Sequence, residues 1–305
     1  MIMQRNTQIK SKPKFPFQVD ALDHCESPLQ SYKDIDVFLK FYAKSIGKSK
    51  STISIYDPYF CSGSIKRNLA KLGYSKVYNK CEDFYEKSEK NEVPEYDVLI
   101  TNPPYSSDHM EKLLYYIKGM VKTKGKPFFL LLPNYVYTKQ YYKDIMKGIN
   151  VFYYVPIRFR YYYNPPDWVD KGKGSSALLK GKASTSPYHS FWYIYGGNDL
   201  ITKKFVKEYF RNISKTNEEK TQYKNRIEML QQRIALCQRI TEIPYELRGE
   251  LDTQKKKRPN PRARKRSRSK NTSTSGNGSK KNFQTMYNNA KRKKTAKKKK
   301  VYNFI

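Results

Sequence analysis

The sequence predicts an α/β fold, a doubly wound and mostly parallel sheet followed by a C-terminal helix and a disordered basic tail. Three observations predict it. Short β-rich runs alternate with segments of helical periodicity between residues 27 and 195. One of those runs, Phe128 to Leu132, is apolar throughout, as in the buried middle of a parallel sheet. Beyond residue 253 the chain is Lys, Arg, Ser, Asn and Gly with almost nothing to bury.

The elements follow in order. Ser27-Pro28-Leu29-Gln30 offers an N-cap hydroxyl, a proline at the first helical position and a glutamine at the capping-box position. Ile35, Phe38, Leu39, Tyr42 and Ile46 then recur at helical spacing, and Gly47 supplies a stop. Thr52 to Tyr56 is the first strand. A small-residue turn at Cys61 to Ser64 leads into a helix from Ile65 to Leu72, ended by Gly73. Lys76 to Asn79 and Val98 to Thr101 are the next strands. Asp108 to Lys122 is helical, with Met110, Leu113, Leu114 and Ile117 on one face. Phe128 to Leu132, a helix at Lys139 to Met146, and strands at Val151 to Val155 and Phe191 to Tyr195 complete the series.

Two stretches lack this rhythm. Arg158 to Pro187 has no periodicity, and a loop that long is functional or disordered. Ile227, Leu230, Ile234, Cys237 and Ile240 form a narrow helical stripe, read as a helix docking on the domain or a short coiled-coil partner. The expected organisation is a disordered arm over residues 1–16, an α/β domain over 17–197, a helical extension over 198–252 and a disordered basic tail over 253–305.

Charge narrows the partners. Lys and Arg number 61 against 27 Asp and Glu in 305 residues, a formal charge of +34. Every charged residue from Lys255 to Lys300 is basic. A polycationic tail on a basic body points to a polyanion, nucleic acid first. No run of about 18 apolar residues exists to span a membrane. Met1 to Phe17 lacks an apolar signal core. The four cysteines (Cys25, Cys61, Cys81, Cys237) are scattered, and only three histidines are present. Neither a metal site nor a disulfide scaffold is expected, and a reducing intracellular compartment fits. The 28 tyrosines are in large part compositional bias.

Asn102-Pro103-Pro104-Tyr105 directly follows the apolar run ending at Thr101. A near copy, Asn164-Pro165-Pro166-Asp167, lacks the aromatic residue and follows no strand, so it reads as a loop. Ligand crevices in open α/β sheets lie at the carboxyl ends of strands, where Asn102 falls. Asn-Pro-Pro-Tyr in this position resembles the catalytic motif of class I, Rossmann-like S-adenosylmethionine-dependent amino-methyltransferases. That family includes adenine methyltransferases acting on DNA or RNA and the glutamine methyltransferases of release factors.

The chemistry behind the motif is direct. An amino group conjugated to a base or carbonyl is a poor nucleophile, because its lone pair is delocalised. The resemblance implies that the Asn102 side-chain oxygen and the Pro103 carbonyl accept its hydrogens and favour a pyramidal nitrogen. Pro103 and Pro104 stiffen the loop so that the acceptors are preorganised. Tyr105 would stack on the planar substrate group. The neutral amine attacks and its proton leaves afterwards, so catalysis is mostly placement.

Upstream, Asp57-Pro58-Tyr59-Phe60-Cys61-Ser62-Gly63-Ser64 is similar to the family's cofactor loop, Asp-Pro-Phe-x-Gly-Ser-Gly. The resemblance assigns Asp57, Pro58, Tyr59, Cys61 and Gly63 to S-adenosyl-L-methionine, with helix amides facing its carboxylate. Cys61 stands where the family usually has glycine, and with nothing near it in sequence to activate a thiol it reads as a packing residue. An acidic residue after the second strand commonly holds the ribose, and Glu82 and Asp83 are both candidates. Asp23 to Glu26 could close over the cofactor or simply cap and pack. Arg158, Arg160, Tyr163 and Trp168 interleave cations with rings, a combination suited to phosphates and unstacked bases.

The expected function is methylation of an amino nitrogen, adenine in RNA or DNA, with RNA favoured because a duplex base must first be flipped out. Two alternatives stay open: methylation of a protein glutamine or asparagine, and a non-catalytic RNA-binding ribosome-assembly factor on a methyltransferase fold. Lys255 to Arg258 with Arg262 to Arg268 reads as a nuclear or nucleolar address, the chain otherwise being cytoplasmic.

Overall fold

The computed structural model describes residues 14–17, 23–164, 184–186, 188–214 and 233–248. Seven strands form one mixed sheet: β1 (Ser54–Tyr56), β2 (Lys76–Tyr78), β3 (Val98–Thr101), β4 (Phe128–Pro133), β5 (Phe152–Pro156), β8 (Ser190–Tyr195) and β9 (Ile234–Cys237). Two short strands, β6 (Tyr162–Tyr163) and β7 (Ser184–Thr185), pair separately. The order across the sheet is β2-β1-β3-β4-β8-β5-β9. The half from β2 to β4 is parallel. In the other half β8 runs antiparallel to both β4 and β5, and β9 runs antiparallel to β5.

The helices are α1 (Leu29–Ser45), α2 (Ser64–Ala70), α3 (Phe84–Glu89), α4 (His109–Lys124), α5 (Gln140–Ile145) and α6 (Asp199–Ser214). They cover both faces, and strand alternation divides the core between them. From β4, Phe128, Leu130 and Leu132 join the layer containing Phe84 of α3, Leu113 of α4 and Ile145 of α5. Phe129 and Leu131 join the opposite layer, with Phe38 of α1, Leu69 of α2 and Phe205 of α6. A strand buried on both sides must be apolar at every position, which is why β4 carries no alternation.

Several elements differ from the expected ones. The capping box at Ser27 does not form: Pro28 is the N-cap of α1, with no side-chain cap. Gln30 instead donates along the helix to Asp34 Oδ1 at 2.7 Å, and the buried Ser27 offers its carbonyl to Asn68 Nδ2 at 3.2 Å. The stripe ending at Ile240 is not helical where it is described. Ile234 to Cys237 is the edge strand β9, Ile240–Glu242 is a 3₁₀ turn, and Ile227 and Leu230 lie outside the described residues. Apolar residues three apart do not separate helix from strand, and the open edge of β5 supplied the partner. The extension's helix is α6, whose Phe205 and Tyr209 rings lie 5.4 and 5.5 Å from Phe38 of α1.

Candidate functional site

The chain order of β1, β2 and β3 creates the site. β1 lies between β2 and β3, so the chain leaves it toward one side of the sheet and later returns on the other. The loops at the carboxyl ends of β1 and β3 therefore part, and a crevice opens at this switch point. A cleft of ≈ 280 Å³ occupies it. Pro58, Tyr59 and Cys61 enter from the β1 loop, Glu82 and Asp83 from the β2 loop, and Asn102 and Pro104 from the β3 loop. Phe17, Asp23, His24 and Cys25 close the cleft from the N-terminal side. That segment is tied to both neighbouring loops, through Ser106 Oγ donating to Asp23 and through Ser62 N donating to Glu26 Oε1 at 2.8 Å.

A smaller niche of ≈ 40 Å³ adjoins the cleft and shares Cys25, Tyr59, Cys61 and Asn102 with it. Its polar lining is unusual. Asp57, Glu26 and Asn79 are 7%, 8% and 1% exposed. Asp57 Oδ1 accepts from the Thr101 hydroxyl at 2.6 Å and from Tyr59 N at 3.2 Å. Asn79 Nδ2 donates to the carbonyls of Asp57 and Tyr59 at 3.2 and 3.3 Å, which turns its oxygen away from them. Glu26 Oε2 and Asn79 Oδ1 are buried with no hydrogen-bond partner. Burial pushes the Asp57 carboxyl up to about 7, against its hydrogen bonds to Thr101 and Tyr59. Hydroxyls of Ser27, Tyr32 and Ser64 also line the niche, but its unpartnered buried atoms, Glu26 Oε2 and Asn79 Oδ1, are acceptors, a setting that favours a bound cation.

Gly63 borders the niche at φ +75°, the left-handed conformation that lets the β1 loop turn into α2. The Ser62 amide beside it donates to Glu26 Oε1, while the amides expected to face a ligand carboxylate are those of the following helix, α2. Burial and the neighbouring Glu26 hold the Cys61 thiol well above its ordinary range, consistent with a packing residue and not a nucleophile.

Asn102 lines both cavities. Pro103 is buried, and Pro104 faces the cleft. Tyr105 is absent from the lining of either cavity. Its ring packs on the core, and its hydroxyl lies 2.7 Å from Asn102 Oδ1 and 3.2 Å from the Leu131 carbonyl oxygen. The expected stacking role is therefore replaced by a brace on Asn102. An amide oxygen accepts two hydrogen bonds, so Asn102 retains capacity for an incoming donor.

The two acidic candidates separate clearly. Asp83 caps α3, its Oδ1 accepting from Tyr85 N at 2.9 Å and Glu86 N at 3.2 Å. Glu82 accepts from the Tyr78 hydroxyl at 2.8 Å on Oε2 and faces the cleft. The loop read as a strand of cations and rings turns partly inward. Arg160 donates to the Ser186 carbonyl, and Tyr163 is buried in the core. Arg158 is exposed, while Trp168 lies outside the described residues.

Tyr85, His109 and Lys112, not singled out from sequence, complete the cleft wall beside Tyr59. The hydroxyls of Tyr59 and Tyr85 are 3.0 Å apart, and Tyr85 Oη is 2.6 Å from His109 Nδ1. Lys112 Nζ lies 5.0 Å from the Tyr85 ring centroid. Asn79, a small polar residue ending a strand at the carboxyl edge, carried a readable signal.

Among the described residues no helix is long and apolar enough to cross a membrane, and no group of three or more His, Cys, Asp or Glu could hold a metal ion. Comparison with protein-family models, curated proteins and solved structures gave no match.

Proposed function

We propose that this chain is an S-adenosylmethionine-dependent methyltransferase of the Rossmann-like class, acting on an amino nitrogen, that of adenine in RNA or DNA. The observation that carries this reading is Asn102, held on a proline-stiffened loop where the cleft meets the niche that holds the unpartnered Glu26 Oε2 and Asn79 Oδ1. An ammonium brings three donors, and Glu26 Oε2, Asn79 Oδ1 and the Asp57 carboxyl are buried acceptors suited to them. The amino group of S-adenosyl-L-methionine fits those acceptors. When bound, the cofactor supplies an electrophilic methyl group on a sulfonium.

The chain's own groups would do the rest. Asn102 Oδ1 and the Pro103 carbonyl accept the hydrogens of the target amine, and the Tyr105 hydroxyl fixes the orientation of the Asn102 amide. Glu82 is the carboxylate left to take the ribose hydroxyls, since Asp83 is committed to α3. Pro58, Phe60, Phe84 and Pro104 exclude water from the cleft. Nucleic acid, with RNA favoured, is the partner that the +34 charge supports. The basic tail and its nuclear or nucleolar address lie outside the described residues.

Two observations favour a second reading, a nucleic-acid-binding factor without transfer chemistry: Glu26 packs its carboxylate against the Ser62 amide of the β1 loop, and Cys61 stands where the resembled family has glycine. Calorimetry with S-adenosylmethionine and methyl-label transfer into fractionated RNA, DNA and protein decide between them. The methyltransferase reading expects binding and label in nucleic acid, with Asn102→Ala abolishing transfer while sparing cofactor affinity. Folded protein that does not bind S-adenosylmethionine would leave the second reading, and label in protein amides would change the acceptor.

A further inference from the structure

We infer that the carboxyl edge of the sheet beyond Asn102 is a docking ledge for single-stranded nucleic acid, with Tyr188 as its stacking platform and Lys139 and Arg158 as its phosphate contacts. The inference takes the nucleic-acid acceptor of the proposed function as its premise. It corrects where on the molecule that acceptor is held, because Tyr163 is buried and the half-buried Arg160 is engaged by the Ser186 carbonyl.

Topology aligns the ledge with Asn102. Moving across the sheet from β3, the next strands are β4, β8 and β5. β4 and β5 end, and the antiparallel β8 begins, on the same edge as Asn102. That edge therefore presents Asn102, then Tyr135, then Tyr188, then Arg158. Three strand spacings cover roughly 14 Å, enough for a few nucleotides beside the reacting base.

The Tyr188 ring is held in place. Tyr188 is 47% exposed, yet its ring meets that of Tyr135 edge-on, with centroids 4.6 Å apart and planes at 75°. Tyr135 packs against the core, and Lys139 Nζ lies 5.4 Å from its ring centroid. Tyr188 N donates to Ser186 Oγ at 3.2 Å, and Asn134 N donates to the His189 carbonyl at 2.7 Å, fixing both loops. A braced ring loses little freedom when a base stacks on it. Lys139 and the exposed Arg158 supply charge of the sign a phosphate backbone needs. Base pairing hides the faces that Tyr188 would cover, so the ledge selects unpaired strands.

The test uses the full chain without cofactor and measures the anisotropy of labelled single-stranded RNA, single-stranded DNA and duplex over a salt series. Raised salt suppresses the purely electrostatic binding expected of the basic tail. Tyr188→Ala should weaken single-strand binding by about tenfold at every salt concentration, leave duplex binding unchanged and keep the wild-type melting temperature. Tyr188→Phe should bind as wild type does. Lys139→Ala should lower the log–log salt slope by about 1. Ultraviolet crosslinking of wild type should attach the oligonucleotide to the peptide containing Tyr188. Unchanged single-strand affinity in Tyr188→Ala, or equal loss on duplex, would overturn the ledge. Loss at Tyr188 in a protein that does not bind S-adenosylmethionine would sink the methyltransferase reading and leave the ledge standing.

Discussion

Asp57→Asn tests the acceptor niche through its pH dependence. The Asp57 carboxyl is pushed up to about 7 by burial in the free protein. A cationic amino group favours its ionised form, so cofactor affinity should track the ionised fraction. From pH 7 to pH 5 that fraction falls roughly fifty-fold, about 2 kcal/mol of binding as an upper limit. The window stays below the α-amino pKa of about 7.7–8.0, so the ligand's charge is constant across it. Titration calorimetry at pH 5, 6 and 7 should show this loss in wild type, with a proton released on binding at pH 6. Asp57→Asn should bind weakly and without that slope. Folding responds with the opposite preference. A carboxyl whose folded pKa is raised stabilises the fold below the unfolded value of about 3.9 and loses that contribution as pH rises to about 7. By pH 8 the difference reaches at most about 4 kcal/mol, so Asp57→Asn should melt higher than wild type there and alike below pH 4. A flat affinity profile in wild type, or an equal slope in Asp57→Asn, would refute the cationic-ligand argument.

Other substitutions separate the remaining roles. Tyr105→Phe removes the brace on Asn102 and should lower kcat two- to tenfold, the worth of about 0.5–1.5 kcal/mol for one hydrogen bond, with cofactor affinity unchanged by calorimetry. Asp83→Ala should destabilise the protein by about 0.5–2 kcal/mol in denaturant melts through loss of the α3 cap and leave cofactor affinity near wild type. Glu82→Gln should do the reverse, weakening cofactor binding with little change in the melt. Gly63→Ala should lower Tm by a few degrees. Its Cβ would meet the Phe60 ring at 3.4 Å and Asn79 Oδ1 at 4.0 Å, ordinary contacts, so the penalty of about 1–2 kcal/mol comes from the left-handed backbone.

The strands that build the crevice were legible because each is short, rich in β-branched or aromatic residues and followed by a turn. Val98–Thr101 and its Asn-Pro-Pro-Tyr loop stand at the bounds read from sequence. What escaped depended on contacts between distant segments. α3 opens with Asp83-Phe84-Tyr85-Glu86, a capping pattern that local reading could have used but that competed with a cofactor role for Asp83. Arg160 and Tyr163 look like a nucleic-acid surface in sequence. Tyr163 is buried in β6 and Arg160 is engaged by the Ser186 carbonyl, through a hairpin whose partner strand begins only at residue 184. The acceptor niche takes Glu26, Asp57 and Asn79 from three separate loops, and no spacing rule joins them.

The niche also explains why the N-terminal segment belongs to the site. Glu26 reaches Ser62 of the β1 loop through two hydrogen bonds, and Asp23 accepts from Ser106 just beyond Tyr105. Glu26 additionally shares a two-bond backbone bridge with Asn164, at 2.8 and 3.1 Å, where the second Asn-Pro-Pro string begins. One short segment thus ties together the β1 loop, the Asn-Pro-Pro-Tyr loop and the β6 hairpin. Removing the Glu26 charge acts on two sides: the Ser62 amide keeps an acceptor in Glu26→Gln, while the niche loses one of its two carboxylates. Glu26→Gln should therefore keep the melting temperature within a few degrees and weaken cofactor binding, whereas Glu26→Ala should lose both. Equal cofactor affinity in Glu26→Gln and wild type would mean that the buried Oε2 plays no part in holding a cation, and the niche would then be only the packing gap beneath the segment.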